Sequence, residues 1–119
     1  ESGLLTGKVN QEWIDNLPEN DWRRHKSDHP VASLLHPPKL NPFLKLVEQL
    51  DAIANSSGHT VSQLAVSWAI CQREITSAIV GARKKGQITE TVQAAEWVLG
   101  ESELNAISSA IDEFRKKIT

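Results

Sequence analysis

Three consecutive cations, Arg83, Lys84 and Lys85, stand just beyond Gly81 and ahead of a helical pattern. The first N–H groups of a helix have no partner inside it, and the helix dipole places partial positive charge beside them. Gly81 lets the chain bend, or lets a ligand approach bare backbone. Together these make an anion site, for which a phosphate is the natural occupant. A solvated basic turn has the same composition, so the cations alone leave both readings open.

Two elements must position them. Ala78, Ile79 and Val80 form a short apolar run closed by Gly81, which reads as a strand over 77–80 buried on both faces. Beyond the cations, Ile88, Val92 and Ala95 recur at i, i+4 and i+7, the spacing of a helix that ends near Leu99.

Scaffold helices surround this unit. Phe43, Leu46, Val47, Leu50, Ile53 and Ala54 predict a helix over 41–57, with Asn41 as its cap, Pro42 in its first turn and Gly58 past its end. Thr60 and Gln63 have capping-box spacing and open a second helix. Its Leu64, Ala65, Trp68, Ala69 and Cys71 predict burial around most of its girth. A last helix follows Gly100, with Glu103 at its third position and Leu104, Ile107, Ile111, Phe114 and Ile118 as its apolar stripe.

Other reactive residue types are sparse. His25 and His29 stand four apart, but no third ligand follows by spacing, so no metal site is expected. Cys71 has no basic neighbour to activate it and reads as a buried structural thiol. Residues 10–40 read as a long polar loop holding Trp13 and Trp22 and the block Asp21-Trp22-Arg23-Arg24-His25. Its tryptophans could line a pocket or pin the loop, and its arginines could reach a phosphate or stay solvated.

Four blocks occur in one order: Gly3-Leu4-Leu5-Thr6-Gly7-Lys8, Asp21-Trp22-Arg23-Arg24, Gln63-Leu64-Ala65-Val66-Ser67-Trp68, and Ile79-Val80-Gly81-Ala82-Arg83 with Gln87 and Glu90. Together they resemble the C-terminal part of an aldo-keto reductase. The resemblance implies the α/β class, namely the C-terminal part of a (β/α)8 TIM barrel, mostly helical here with one or two short strands. Residues 1–9 would end the seventh strand and form its loop, 10–40 the long loop, and 41–119 the helices around the last barrel strand at 77–80. Such barrels typically need about 250 residues. A chain of 119 residues without methionine, opening inside a motif, is therefore expected to be incomplete.

The same resemblance implies NADPH as cofactor and reduction of aldehydes or ketones as the activity. Gly3 and Leu4, with Lys8, would meet the pyrophosphate. Gly81, Arg83 and Gln87 would meet the 2′-phosphate end of the adenosine, and Glu90 the adenine amino group. Thr91 stands where the family usually has asparagine and offers fewer hydrogen bonds. The family also tends to have a small polar cap and a proline where this chain has Lys84-Lys85-Gly86. Catalysis in the family uses a tyrosine acid with lysine, aspartate and histidine, and this chain contains no tyrosine. No catalytic residue is therefore assigned. Potassium-channel β subunits share the resemblance and supply an alternative, a non-catalytic partner protein.

Net charge is −2, which gives no general attraction to nucleic acid or an anionic membrane. A helix-turn-helix reader built on the helix after Thr60 is disfavoured, because that helix is too apolar to present base-reading side chains. No apolar run is long enough to span a bilayer. One cysteine and no signal pattern suggest a cytoplasmic setting, and the resemblance implies a small carbonyl compound as the ligand.

Overall fold

The computed structural model describes residues 2–119. Six α-helices follow in order: α1 Gln11–Asp15, α2 Pro30–Leu34, α3 Leu40–Ser56, α4 Val61–Ile70, α5 Gln87–Glu96 and α6 Glu101–Ile118. A 3-10 turn at Trp22–Arg24 lies between the first two. No strand is formed among the described residues.

The organising helix is α3, which packs on α6 along one flank and on α4 along another. Its Leu46, Leu50 and Ala54 join Val61 and Leu64 of α4 and Ile107 and Ala110 of α6 in one core. Its Leu40, Phe43 and Val47 face a second core with Leu4, Val9, Ile14 and Leu35. Leu5 and Phe114 touch both. The helical spacing of apolar residues in α3 thus serves two partners on two sides.

Segment 10–40 is more ordered than a polar loop. Asn10 caps α1 by accepting the Trp13 N–H at 2.7 Å, and His29 caps α2 through Val31 at 3.3 Å, with Pro30 in the first turn. These short helices bury Ile14 and Ala32. Their apolar positions are too few per turn to show a period, yet they close the second core.

Several boundaries move. The cap of α3 is Lys39, not Asn41, which lies inside the first turn; the Lys39 and Leu40 N–H groups already bond to the His36 carbonyl. Cys71 is exposed rather than buried, because it ends α4 with its thiol directed to the Trp68 carbonyl at 3.1 Å. The buried face of α4 is not wholly apolar: it comprises Val61, Gln63, Leu64 and Ser67, while Trp68 is exposed.

The largest correction concerns 77–80. That segment is irregular, Ile79 is fully exposed and Val80 partly so. A ladder needs a neighbouring extended segment, and none of the described residues supplies one. Ile88 and Val92 of α5 are exposed too, and the helix is anchored instead through buried Ala94. The expected strand end over 1–9 is likewise a series of turns across the described residues; Glu1 lies outside them.

Candidate functional site

The first turn of α4 is the base on which the site stands. Thr60 accepts the Gln63 N–H at 3.2 Å, and the Gln63 side chain returns to the Thr60 N–H at 3.0 Å. This reciprocal cap leaves the Gln63 amide nitrogen pointing outward, where it donates to the Glu90 carbonyl at 2.9 Å and to Gln93 Oε1 at 3.0 Å. One turn further, the Ser67 hydroxyl faces the carbonyls of Ala94 at 2.6 Å and Trp97 at 2.7 Å. Residues i and i+4 of α4 therefore grip the start and the end of α5.

Neighbouring Ser62 reaches the other way and donates to the Leu5 carbonyl at 3.2 Å. The result is an open cleft of about 630 Å³. Ser2, Gly3, Leu5 and Thr6 form one wall, Glu90 and Thr91 the other, with Ile79, Val80 and Gly81 at the rim and α4 beneath. The opening loop of the chain meets segments from its second half there.

The residues expected at a cofactor divide into those on the cleft and those beside it. Gly3, Gly81, Glu90 and Thr91 line it. Gly3 adopts φ +77°, a conformation that favours glycine. Gly81 does not: the left-handed residue at the entry to α5 is Gly86, at φ +90°. A Cβ at Gly81 would meet no protein atom and would project into open space. Leu4 is buried in the second core, so only its backbone is available to a ligand.

Lys8, Arg83 and Gln87 do not line the cleft. Lys8 and the whole of 81–90 are exposed. Among the described residues Arg83, Lys84 and Lys85 form no ion pair. Gln87 folds back so that its Oε1 accepts the N–H groups of Arg83 at 2.6 Å and Lys84 at 2.9 Å. That contact shapes the basic turn but occupies two donors that a phosphate could have used. Thr91 spends its proton on the Gln87 carbonyl at 2.9 Å, leaving lone pairs for any other partner.

Arg23 has a definite task in the structure. Its guanidinium donates to the Ser2 carbonyl at 3.0 Å and lies 5.0 Å from the Trp13 ring centroid. Both remaining faces of the fork go to Asp21. Hydrogen bonds from Arg23 hold the Asp21 carboxyl at about 2, well below its ordinary 3.8. The acid-aromatic-base order Asp21-Trp22-Arg23 was a visible signal, although its target, Ser2, is set only by the fold. Arg24 donates to the Leu17 carbonyl at 2.8 Å and so pins its own loop.

His25 and His29 are taken up locally, by the Glu19 carbonyl at 2.6 Å and by the cap of α2. Among the described residues no group of three or more His, Cys, Asp or Glu is gathered as a metal would require. No helix among them is long and apolar enough to cross a membrane.

Comparison with known proteins gives this arrangement a lineage. The sequence profile described as Aldo/keto reductase family matches residues 1–112. A Schizosaccharomyces pombe protein with the provisional name voltage-gated potassium channel subunit beta is 37% identical over 82% of this chain and 27% of its own length. L-glyceraldehyde 3-phosphate reductase of Escherichia coli O157:H7 is 34% identical over 77% of this chain and 25% of its own. The chain thus spans about a quarter of the length of these relatives. A solved glycerol dehydrogenase from Gluconobacter oxydans superposes with a TM-score of 0.75 at 28% identity, covering 92% of this chain and 31% of that one. The fold is the C-terminal part of a (β/α)8 barrel, here wholly helical and irregular among the described residues. With the profile running through both walls of the cleft, the chain belongs to the aldo/keto reductase family.

Proposed function

We propose that this chain supplies the adenosine-phosphate side of the cofactor site in an NADPH-dependent oxidoreductase that reduces aldehydes or ketones to alcohols. The observation that carries the reading is the convergence of Gly3 with Gly81, Glu90 and Thr91 on one cleft. Gly3 and Gly81 leave bare backbone at its edge, where a long ligand can lie close. Three cations that form no ion pair among the described residues stand ahead of α5 beside it.

In this reading the backbone of Gly3 and Leu4, with the Lys8 ammonium, meets the pyrophosphate. Gly81, Arg83 and Gln87 meet the 2′-phosphate end, and the Glu90 carboxylate accepts from the adenine amino group. Thr91 adds an acceptor lone pair. The bound nicotinamide supplies the hydride, and no residue of this chain is assigned the proton transfer. A charge-assisted hydrogen bond contributes about 1.5–3 kcal/mol, so Arg83 would favour NADPH over NADH by about 10- to 100-fold. A cytoplasmic setting and a small carbonyl substrate go with this reading.

A second reading, a non-catalytic partner of a membrane channel, is favoured by one observation: relatives from fission yeast, Arabidopsis thaliana and Oryza sativa carry provisional channel-subunit names. Turnover separates the two. The full-length protein carrying this chain is mixed with NADPH and a panel of aldehydes and ketones, and loss of the reduced nicotinamide absorbance is followed. Carbonyl-dependent oxidation is expected. Binding without turnover across the panel would favour the channel-partner reading, and absence of binding would overturn both as cofactor proteins.

A further inference from the structure

Ser62 and Gln63 are adjacent in the first turn of α4, yet their side chains reach opposite walls of the cleft. Ser62 Oγ donates to the Leu5 carbonyl at 3.2 Å, and Gln63 Nε2 donates to the Glu90 carbonyl at 2.9 Å. Among the described residues no hydrogen bond joins the Gly3 loop directly to α5. These two side chains therefore hydrogen-bond both walls to one turn of α4, with Ser67 holding the later end of α5.

Gln63 is suited to that task because nothing about it is free. It is 5% exposed, its oxygen accepts the Thr60 N–H at 3.0 Å, and its second amide proton goes to Gln93 Oε1 at 3.0 Å. A buried amide with both donors and its acceptor engaged holds one orientation. Moving Glu90 away from the Gly3 loop would break that network at its centre.

We propose that Ser62 and Gln63 are positioning residues that set the span of the cleft, acting on ligands that touch both walls and sparing those that touch one. The proposal rests on the dinucleotide reading above. NADPH laid with its adenosine on α5 and its pyrophosphate on the Gly3 loop spans both walls. Adenosine 2′-monophosphate (2′-AMP) retains the adenosine and its 2′-phosphate and lacks the pyrophosphate and everything beyond it.

The test titrates NADPH and 2′-AMP separately against the full-length protein and its Ser62→Ala and Gln63→Met variants. Each lost hydrogen bond is expected to weaken NADPH by about threefold to tenfold. Affinity for 2′-AMP should stay at the wild-type value. A simple structural role would move both ligands together, and that result, or no change in either, overturns the proposal. Should Gln63→Met fail to fold, Ser62→Ala at its partly exposed position carries the same test. If the wild type binds neither ligand, the dinucleotide reading itself falls, and the positioning role with it. If the wild type binds both and the variants do not discriminate, only the positioning role falls.

Discussion

Arg23 and Asp21 meet as a fork, with Nε 2.9 Å from Oδ1 and Nη2 2.5 Å from Oδ2, while the third guanidinium nitrogen reaches the Ser2 carbonyl at 3.0 Å. A bidentate pair fixes orientation as well as charge. Asp21 thereby aims Arg23 at the loop that forms one wall of the cleft. Asp21→Asn removes one partner of the fork and should loosen residues 2–8. Hydrogen exchange at those amides is expected to quicken while exchange in α3 stays unchanged. Equal protection in both proteins would show that the fork does not restrain the loop.

The same logic gives a pH dependence where α6 meets α3. Glu113 accepts from Lys117 at 2.7 Å, Gln49 at 2.9 Å and Lys45 at 3.0 Å, tying α6 to α3. These bonds, that from Lys117 foremost, hold its pKa at about 2, below the ordinary 4.5. A carboxyl whose folded pKa is depressed contributes stability that is present above 4.5 and lost as pH falls through about 2. Glu113→Gln should therefore lose less stability than the wild type across that window. Parallel acid-unfolding curves would contradict the assignment.

Much of the scaffold was legible because it is local. The caps at Thr60 with Gln63 and at Gly100 with Glu103 involve residues three apart and form as their spacing implies, the first reciprocal and the second one-sided, since Gly100 has no side chain and only its N–H bonds to Glu103 at 2.7 Å. The apolar stripe of α3 needed only its period. What lay beyond reach depends on distant partners. Ile79 reads as a core residue on hydrophobicity, yet burial requires neighbours that the described residues do not provide. Nothing within Gln63-Leu64-Ala65 says that the Gln63 amide will find Glu90, and nothing within Asp21-Trp22-Arg23 names Ser2. On the cleft, Gly81 stood out locally as the close of an apolar run ahead of three cations, Glu90 and Thr91 came from resemblance, as did the cofactor role of Gly3, and Leu4 was turned inward by the second core.

Ser67 supplies a stability test. It is 1% exposed and its single hydroxyl proton serves the carbonyls of Ala94 and Trp97. Ser67→Ala strips both carbonyls of that donor in a buried place, which costs about 1–3 kcal/mol. Urea denaturation should show a lower midpoint with an unchanged slope. A loss well under that range would mean the carbonyls find other partners.

Two glycines near the cations should respond in opposite ways. Gly86 sits at φ +90°, where a side chain is strained, so Gly86→Ala is expected to destabilise by about 1–2 kcal/mol. Gly81 has no such requirement and no protein atom within reach of a new Cβ. Gly81→Ala should leave thermal stability unchanged while weakening a ligand that lies against the rim of the cleft. Stability loss at Gly81 with none at Gly86 would reverse the account.

Equilibrium titration of NADPH and NADH against the full-length wild type and its Arg83→Ala variant tests the central claim most directly. The wild type should prefer NADPH by about 10- to 100-fold, and the variant should lose most of that preference through weaker NADPH binding alone. Equal losses for both cofactors, or no preference in the wild type, would show that the basic turn before α5 does not read a 2′-phosphate.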